Sequence, residues 1–122
     1  MTAPRRILFV DNRPELLHQP VMRLQLEGYR VDEAASGEEG LAALRGGGYD
    51  LVVLDAELPG ADGWQVLREV RADPAIQQVK VIVLMAGKGE TGQLALVDVD
   101  AELRRPFTMA ELVETVSRVL SS

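Results

Sequence analysis

Two aspartates each follow directly after a run of four apolar residues. Residues 7–10 (ILFV) precede Asp11, and residues 51–54 (LVVL) precede Asp55. Short apolar runs that end at turn residues, here Pro59 and Gly60, are typical of strands buried on both faces of a parallel sheet. In open sheets of that kind the ligand crevice lies beyond the carboxyl ends of the strands. Carboxylates there are suited to bind a hard cation such as Mg²⁺ or to act as nucleophiles.

The composition excludes several classes of protein. With 122 residues, 47% hydrophobic and 26% charged, we expect one globular domain over residues 1–122 and no second domain. The net charge of −6 argues against direct nucleic-acid binding, which depends on neutralising phosphates. The sequence has no cysteine, no secretory leader pattern and no apolar stretch of membrane-spanning length. We therefore expect a cytoplasmic protein with no membrane insertion.

The elements that position the aspartates alternate along the chain. Apolar runs predict five strands, and a 3.6-residue periodicity with capping signals predicts five helices between and after them. Ser36 with Glu39 and Thr108 with Glu111 are capping boxes, Asp62 is a candidate cap, and Thr91 begins a weaker helix that reaches Val97. Alternating strands and helices predict an α/β fold with a parallel sheet. The predicted strands are residues 7–10, 29–34, 51–55, 79–84 and 101–103.

Three pieces of this sequence, in their order and spacing, resemble the receiver domain of two-component response regulators. They are residues 7–11 (ILFVD), residues 51–63 (LVVLDAELPGADG) and residues 105–107 (RPF). The resemblance implies a flavodoxin-like, doubly wound sheet with strand order 2-1-3-4-5. It also implies that Asp55 accepts a phosphoryl group from a sensor histidine kinase or a phosphotransfer protein.

The same resemblance implies a site around Asp55. Asp11, Asn12 and Asp55, with the backbone carbonyl of Glu57, would hold Mg²⁺, and Arg105 would clamp the phosphoryl group, next to a cis bond to Pro106. A downstream protein target would bind the surface of the last two helices and strand five, through which a homodimer is also expected. The chain is expected to act as a switch with no output domain and not as an enzyme.

Four positions depart from the usual receiver pattern and mark a divergent member. Asn12 stands where a second acid is usual, so a ligand charge is missing. Met85 replaces the hydroxyl residue at the end of strand four, and Glu102 replaces a frequent aromatic switch residue. Arg105 replaces a lysine and keeps the charge with a different geometry.

Simpler interpretations of these residues remain open. Asn12 serves equally well as the cap of the first helix, and the side chain of Glu57 is expected to face solvent. For Arg13 a solvated surface position is preferred to a place at the rim of the site, and His18 is expected to be an exposed polar residue without ligand partners.

Three functional hypotheses follow. The first is a phospho-accepting receiver with Mg²⁺. The second is a pseudo-receiver that acts as a protein-interaction module without phosphorylation, which is favoured by Asn12, Met85 and Glu102. The third is a flavin-binding or enzymatic domain of the same topology, which is disfavoured because residues 11–15 (DNRPE) would repel a phosphate without a cation.

Overall fold

The computed structural model describes residues 3–56, 63–85 and 98–121. Within these residues the chain forms five strands and four helices. The strands are β1 (Arg6–Val10), β2 (Arg30–Ala34), β3 (Leu51–Asp55), β4 (Lys80–Met85) and β5 (Ala101–Arg104). The helices are α1 (Pro14–Leu26), α2 (Gly37–Arg45), α3 (Gly63–Ala72) and α4 (Met109–Leu120).

The strands form one parallel sheet in the order β2-β1-β3-β4-β5, which confirms the predicted topology. The helix predicted from Thr91 to Val97, the candidate cap Asp62 and the candidate ligand Glu57 lie outside the described residues. Among the described residues, no helix is both long and apolar enough to cross a membrane.

Two apolar cores lie on opposite faces of the sheet because successive strand residues point to opposite faces. Alternate residues of β1, β3 and β4, such as Leu8, Val52 and Val81, pack with α2 and α3. The residues between them, such as Phe9 and Val53, pack with α1 and α4. This double burial explains the all-apolar runs, whereas the edge strand β2 keeps an exposed, charged face.

Helix starts follow the local capping chemistry. The Thr108 side chain accepts a hydrogen bond from the Glu111 amide at 3.0 Å, and the Glu111 carboxylate accepts one from the Thr108 amide at 3.1 Å. Ser36 accepts from the Glu39 amide at 3.1 Å, but Glu39 reaches back to the amide of Ala35 instead of Ser36. The capping box of α4 is therefore complete. In α2 the Glu39 carboxylate accepts from the residue before the N-cap, so the second bond of the box is displaced by one residue.

Candidate functional site

Asp11 and Asp55 lie side by side at the carboxyl edge of the sheet. Asp55 is the last residue of β3, and Asp11 follows β1, whose Val10 pairs with Leu54. Both carboxylates are only 1% exposed. The Asp11 amide donates to the Ala34 carbonyl at 3.1 Å, which fixes the chain where it leaves the strand. The predicted convergence of the two side chains is confirmed by their shared contacts with two arginines.

Arg13 provides the shorter of these contacts. Its Nη2 donates to Asp55 Oδ2 at 2.8 Å, and its Nε lies 3.5 Å from Asp11 Oδ1. One guanidinium thus bridges both carboxylates, so the expectation of a solvated arginine is wrong. The backbone amide of Arg13 also donates to Asp11 Oδ1 at 3.2 Å, and this turn directs the side chain back over the aspartates.

Arg105 approaches the same carboxylates from the other side. Its Nη2 donates to Asp11 Oδ2 at 3.1 Å, and its Nη1 lies 3.7 Å from Asp55 Oδ2. Its amide donates to the Met85 carbonyl at 2.9 Å, which holds the residue at the end of β4. The Arg105–Pro106 peptide bond is cis, as expected. Arg105 therefore lies where a clamp is needed, and its action on a phosphoryl group stays a prediction.

The site places two negative and two positive charges in close contact among the described side chains. Burial raises the pKa of Asp11, and the neighbouring charge of Asp55 raises it further. The pKa of Arg13 is raised, first by its hydrogen bond to Asp55 and also by the charges of both aspartates. Burying two adjacent carboxylates costs free energy, and the two guanidiniums supply the positive charge that offsets this cost.

The two aspartates fit a divalent cation by ligand type and by proximity. A single positive group already contacts an oxygen of each, and Mg²⁺ prefers such oxygen ligands. No cluster of three acidic, histidine or cysteine side chains suited to a metal occurs in the part of the chain that the structure describes, where Glu57 is not included. Asp11 and Asp55 would therefore hold the ion, and the shared position is the one that Arg13 occupies.

The other predicted site residues are less involved. Asn12 is exposed, and the N-cap of α1 is Arg13, so of the two interpretations left open for Asn12 the helix cap is excluded. His18 is exposed, as predicted. Met85 ends β4 with its side chain 1% exposed in the core beside α3. Glu102 is exposed on β5, and its Oε2 lies 3.5 Å from Arg104 Nη2.

Gly63 was not predicted to shape the site. A methyl group on its Cα would overlap the Asp55 carbonyl oxygen and lie 2.6 Å from Ala56 Cα. The first turn of α3 therefore packs directly on the backbone that carries Asp55. The sequence pattern ADG after the strand was the available signal, since glycine allows such close backbone approach.

A family model for the response regulator receiver domain matches residues 7–117. The chain belongs to this family. It is 38% identical over 109 residues to the transcriptional regulatory protein TcrA of Mycobacterium tuberculosis, covering 88% of this chain and 42% of that protein. It is 32% identical over 122 residues to the transcriptional regulatory protein ResD of Bacillus subtilis, covering 98% of this chain and 49% of that protein. The chain therefore spans less than half of each of these relatives.

A solved structure of a receiver domain is similar over nearly the whole chain. The receiver domain of the sensor histidine kinase PA1611 of Pseudomonas aeruginosa PAO1 matches with a TM-score of 0.90 and 30% identity, covering 98% of this chain and 100% of that one. Its structure has a magnesium ion coordinated in the active-site cleft. Both the family and the flavodoxin-like fold predicted from the sequence are confirmed, and the chain is a receiver domain of the two-component phosphorelay type.

Proposed function

We propose that this receiver accepts a phosphoryl group on Asp55 from a histidine kinase or phosphotransfer protein and passes the signal to a protein target. The observation that carries the proposal is the position of the Asp55 carboxylate, at the end of β3 beside Asp11 and within reach of Arg13 and Arg105. In the transfer, an Asp55 oxygen forms a bond to phosphorus as the bond from phosphorus to the donor breaks. The donor leaves with the electron pair of that bond.

The residues of the site have separate tasks in this step. Asp11 and Asp55 would hold Mg²⁺, which would neutralise charge between nucleophile and phosphoryl group. Arg105 contacts both aspartates and would bind a phosphoryl oxygen once Asp55 is modified. Asn12 and the carbonyl of Glu57 remain proposed further ligands. The chain is proposed to act as a cytoplasmic switch without catalytic turnover of other substrates. A homodimer through the last two predicted helices and strand five remains a proposal.

A direct test is phosphorylation by a small donor such as acetyl phosphate with Mg²⁺, followed by intact mass measurement. The wild type should gain one phosphoryl group, and Asp55→Ala should gain none. Asp73→Ala is the matched control because Asp73 lies outside the site, where it accepts from Arg45 and Ala75. Absence of an adduct on the wild type, or an equal adduct on Asp55→Ala, would refute the proposal.

Met85 supports a second candidate, a pseudo-receiver that binds its partner without phosphorylation. Its side chain is packed in the core and offers no hydroxyl to a phosphoryl oxygen at the end of β4. Under this alternative, Asp55→Ala would bind the partner and support output like the wild type. Loss of output by a folded Asp55→Ala protein would exclude it.

A further inference from the structure

Arg13 fills the position that a shared cation would take. We propose that Arg13 is the resident counter-ion of the site and competes with the divalent cation for Asp11 and Asp55. The inference rests on the proposed function in requiring that these two aspartates bind the ion. It adds that ion binding is an exchange, in which a guanidinium leaves as the cation enters.

The contacts define the competition. Arg13 Nη2 is 2.8 Å from Asp55 Oδ2, and Nε is 3.5 Å from Asp11 Oδ1. These are the carboxylates that would ligate the ion, and a guanidinium left between them would face a divalent charge at close range. Like charges at such distances repel each other, and two carboxylates that are 1% exposed offer little water to screen them. Arg13 and the ion are therefore mutually exclusive at this position.

The charge balance points the same way. Among the described side chains, two carboxylates that are each 1% exposed contact two guanidiniums, so these four side chains together carry no net charge. A divalent cation added without displacement would leave two excess positive charges there. Displacement of Arg13 to solvent reduces that excess to one, which the incoming phosphoryl group would more than neutralise.

The Arg13 side chain is the more exposed of the two arginines and adjoins open space. The Arg13 side chain is 38% exposed and makes no capping bond to α1, and that of Arg105 is 26% exposed. A cavity of about 630 Å³ adjoins Arg13 and is lined also by Glu15 and His18. The side chain therefore has both space and an acidic neighbour outside the site. The hydrogen bond to Asp11 Oδ1 is donated by the backbone amide of Arg13, so it does not depend on the Arg13 side chain.

The expected gain in Mg²⁺ affinity follows from the fraction of molecules in which the Arg13 side chain has left the two aspartates, which we call the open site. The apparent dissociation constant for the ion is the intrinsic constant divided by the fraction of molecules whose site is open. A charged hydrogen bond that is partly exposed keeps the closed form in excess by about tenfold. Removing the guanidinium should therefore tighten Mg²⁺ binding by about tenfold.

The test is a Mg²⁺ titration of unphosphorylated protein, read by amide NMR shifts of residues beside Asp11 and Asp55. Arg13→Ala and the longer, neutral Arg13→Gln should bind about tenfold more tightly than the wild type. Arg23→Ala is the matched control, because it removes the same charge from α1, the helix that Arg13 precedes, at a position where Arg23 pairs with Glu27 at 3.2 Å. It should bind Mg²⁺ like the wild type.

The outcomes separate this inference from the proposed function. Equal or weaker Mg²⁺ binding by both folded Arg13 variants overturns the competition and leaves the proposed function standing. Absence of binding in every protein overturns both the competition and the proposed ion site.

Discussion

Gly63 provides the sharpest test of how the fold supports Asp55. In Gly63→Ala the added methyl group would overlap the Asp55 carbonyl oxygen and lie 2.6 Å from the Cα and 3.0 Å from the carbonyl carbon of Ala56. These are backbone atoms of the end of β3 and the residue after it, so no side-chain rotation relieves the contact. Either α3 moves away from the sheet or the backbone of Asp55 shifts.

The size of the effect follows from overpacking. Forcing a methyl group into such a contact costs up to about 3 kcal/mol, and the better helix propensity of alanine returns up to about 1 kcal/mol. We expect a net loss of about 2 kcal/mol in the free energy of unfolding. For a chain of 122 residues, the usual unfolding entropy per residue converts this loss into a melting temperature lower by about 8 °C.

Gly40→Ala is the matched control. It adds the same methyl group within a helix, but there the new group meets the Val10 side chain, with 3.0 Å to Cγ2 and 3.3 Å to Cγ1. A side chain can adjust, so we expect stability within about 1 kcal/mol of the wild type. Thermal unfolding can be followed by circular dichroism and by Trp64, which is the only tryptophan and is 4% exposed. If Gly63→Ala melts no lower than Gly40→Ala, the close packing of α3 on β3 is refuted.

Three further predictions concern charge and capping. Asp11→Asn, measured by urea unfolding in EDTA, should be more stable than the wild type at pH 7 and should lose this advantage towards pH 4. The pKa of Asp11 is raised in the folded protein, so the wild type loses stability as the pH rises through that pKa and the buried carboxyl group ionises. Thr108→Ala should lose about 1 kcal/mol of stability because the Glu111 amide loses its acceptor. Tyr49→Phe should raise the pKa of Asp32 towards 3.8 in a carboxyl NMR titration, because the Tyr49 hydroxyl is the main cause that lowers it.

Each of these has a result that contradicts it. A loss of stability in Asp11→Asn at pH 7 would mean that its ion pair with Arg105 outweighs the cost of burial. A Thr108→Ala protein as stable as the wild type would show that water replaces the cap. An unchanged Asp32 titration in Tyr49→Phe would assign the lowered pKa to the arginines nearby, which are Arg6, whose Nη2 lies 3.5 Å from Asp32 Oδ2, and Arg30.

The positions of the strands were predictable because burial on both faces produces a recognisable pattern of apolar residues in the sequence. Strands buried on both faces need continuous apolar runs, and such runs at residues 7–10 and 51–54 fixed β1 and β3 within one residue. Their ends then fixed Asp11 and Asp55 at one edge of the sheet. Topology followed from alternation and from the family resemblance, and the polar pattern of β2 agrees with its position at the edge of the sheet.

The reach of long side chains was not predictable in the same way. Arg13 is next to Pro14, at a helix start where a solvated arginine is the ordinary outcome. Its direction depends on the turn in which Asp11 accepts the Arg13 amide, and that turn is a consequence of the tertiary position of Asp11. Met85 is a similar case, because strand parity places its side chain towards α3 only once the register of β4 is known.

Asn12 and Arg13 are best understood together. The usual receiver site has two acidic residues after the first strand, the phospho-accepting aspartate and one basic residue. It therefore carries two excess negative charges, which one divalent cation balances. Here Asn12 removes one negative charge and Arg13 adds one positive charge in contact with Asp55, so the described side chains of the site balance the same two charges without an ion. Considered singly, Asn12 indicates only a weaker metal ligand and Arg13 only a surface residue. Considered as a pair, they predict a site whose affinity for the cation is set by how readily one guanidinium leaves.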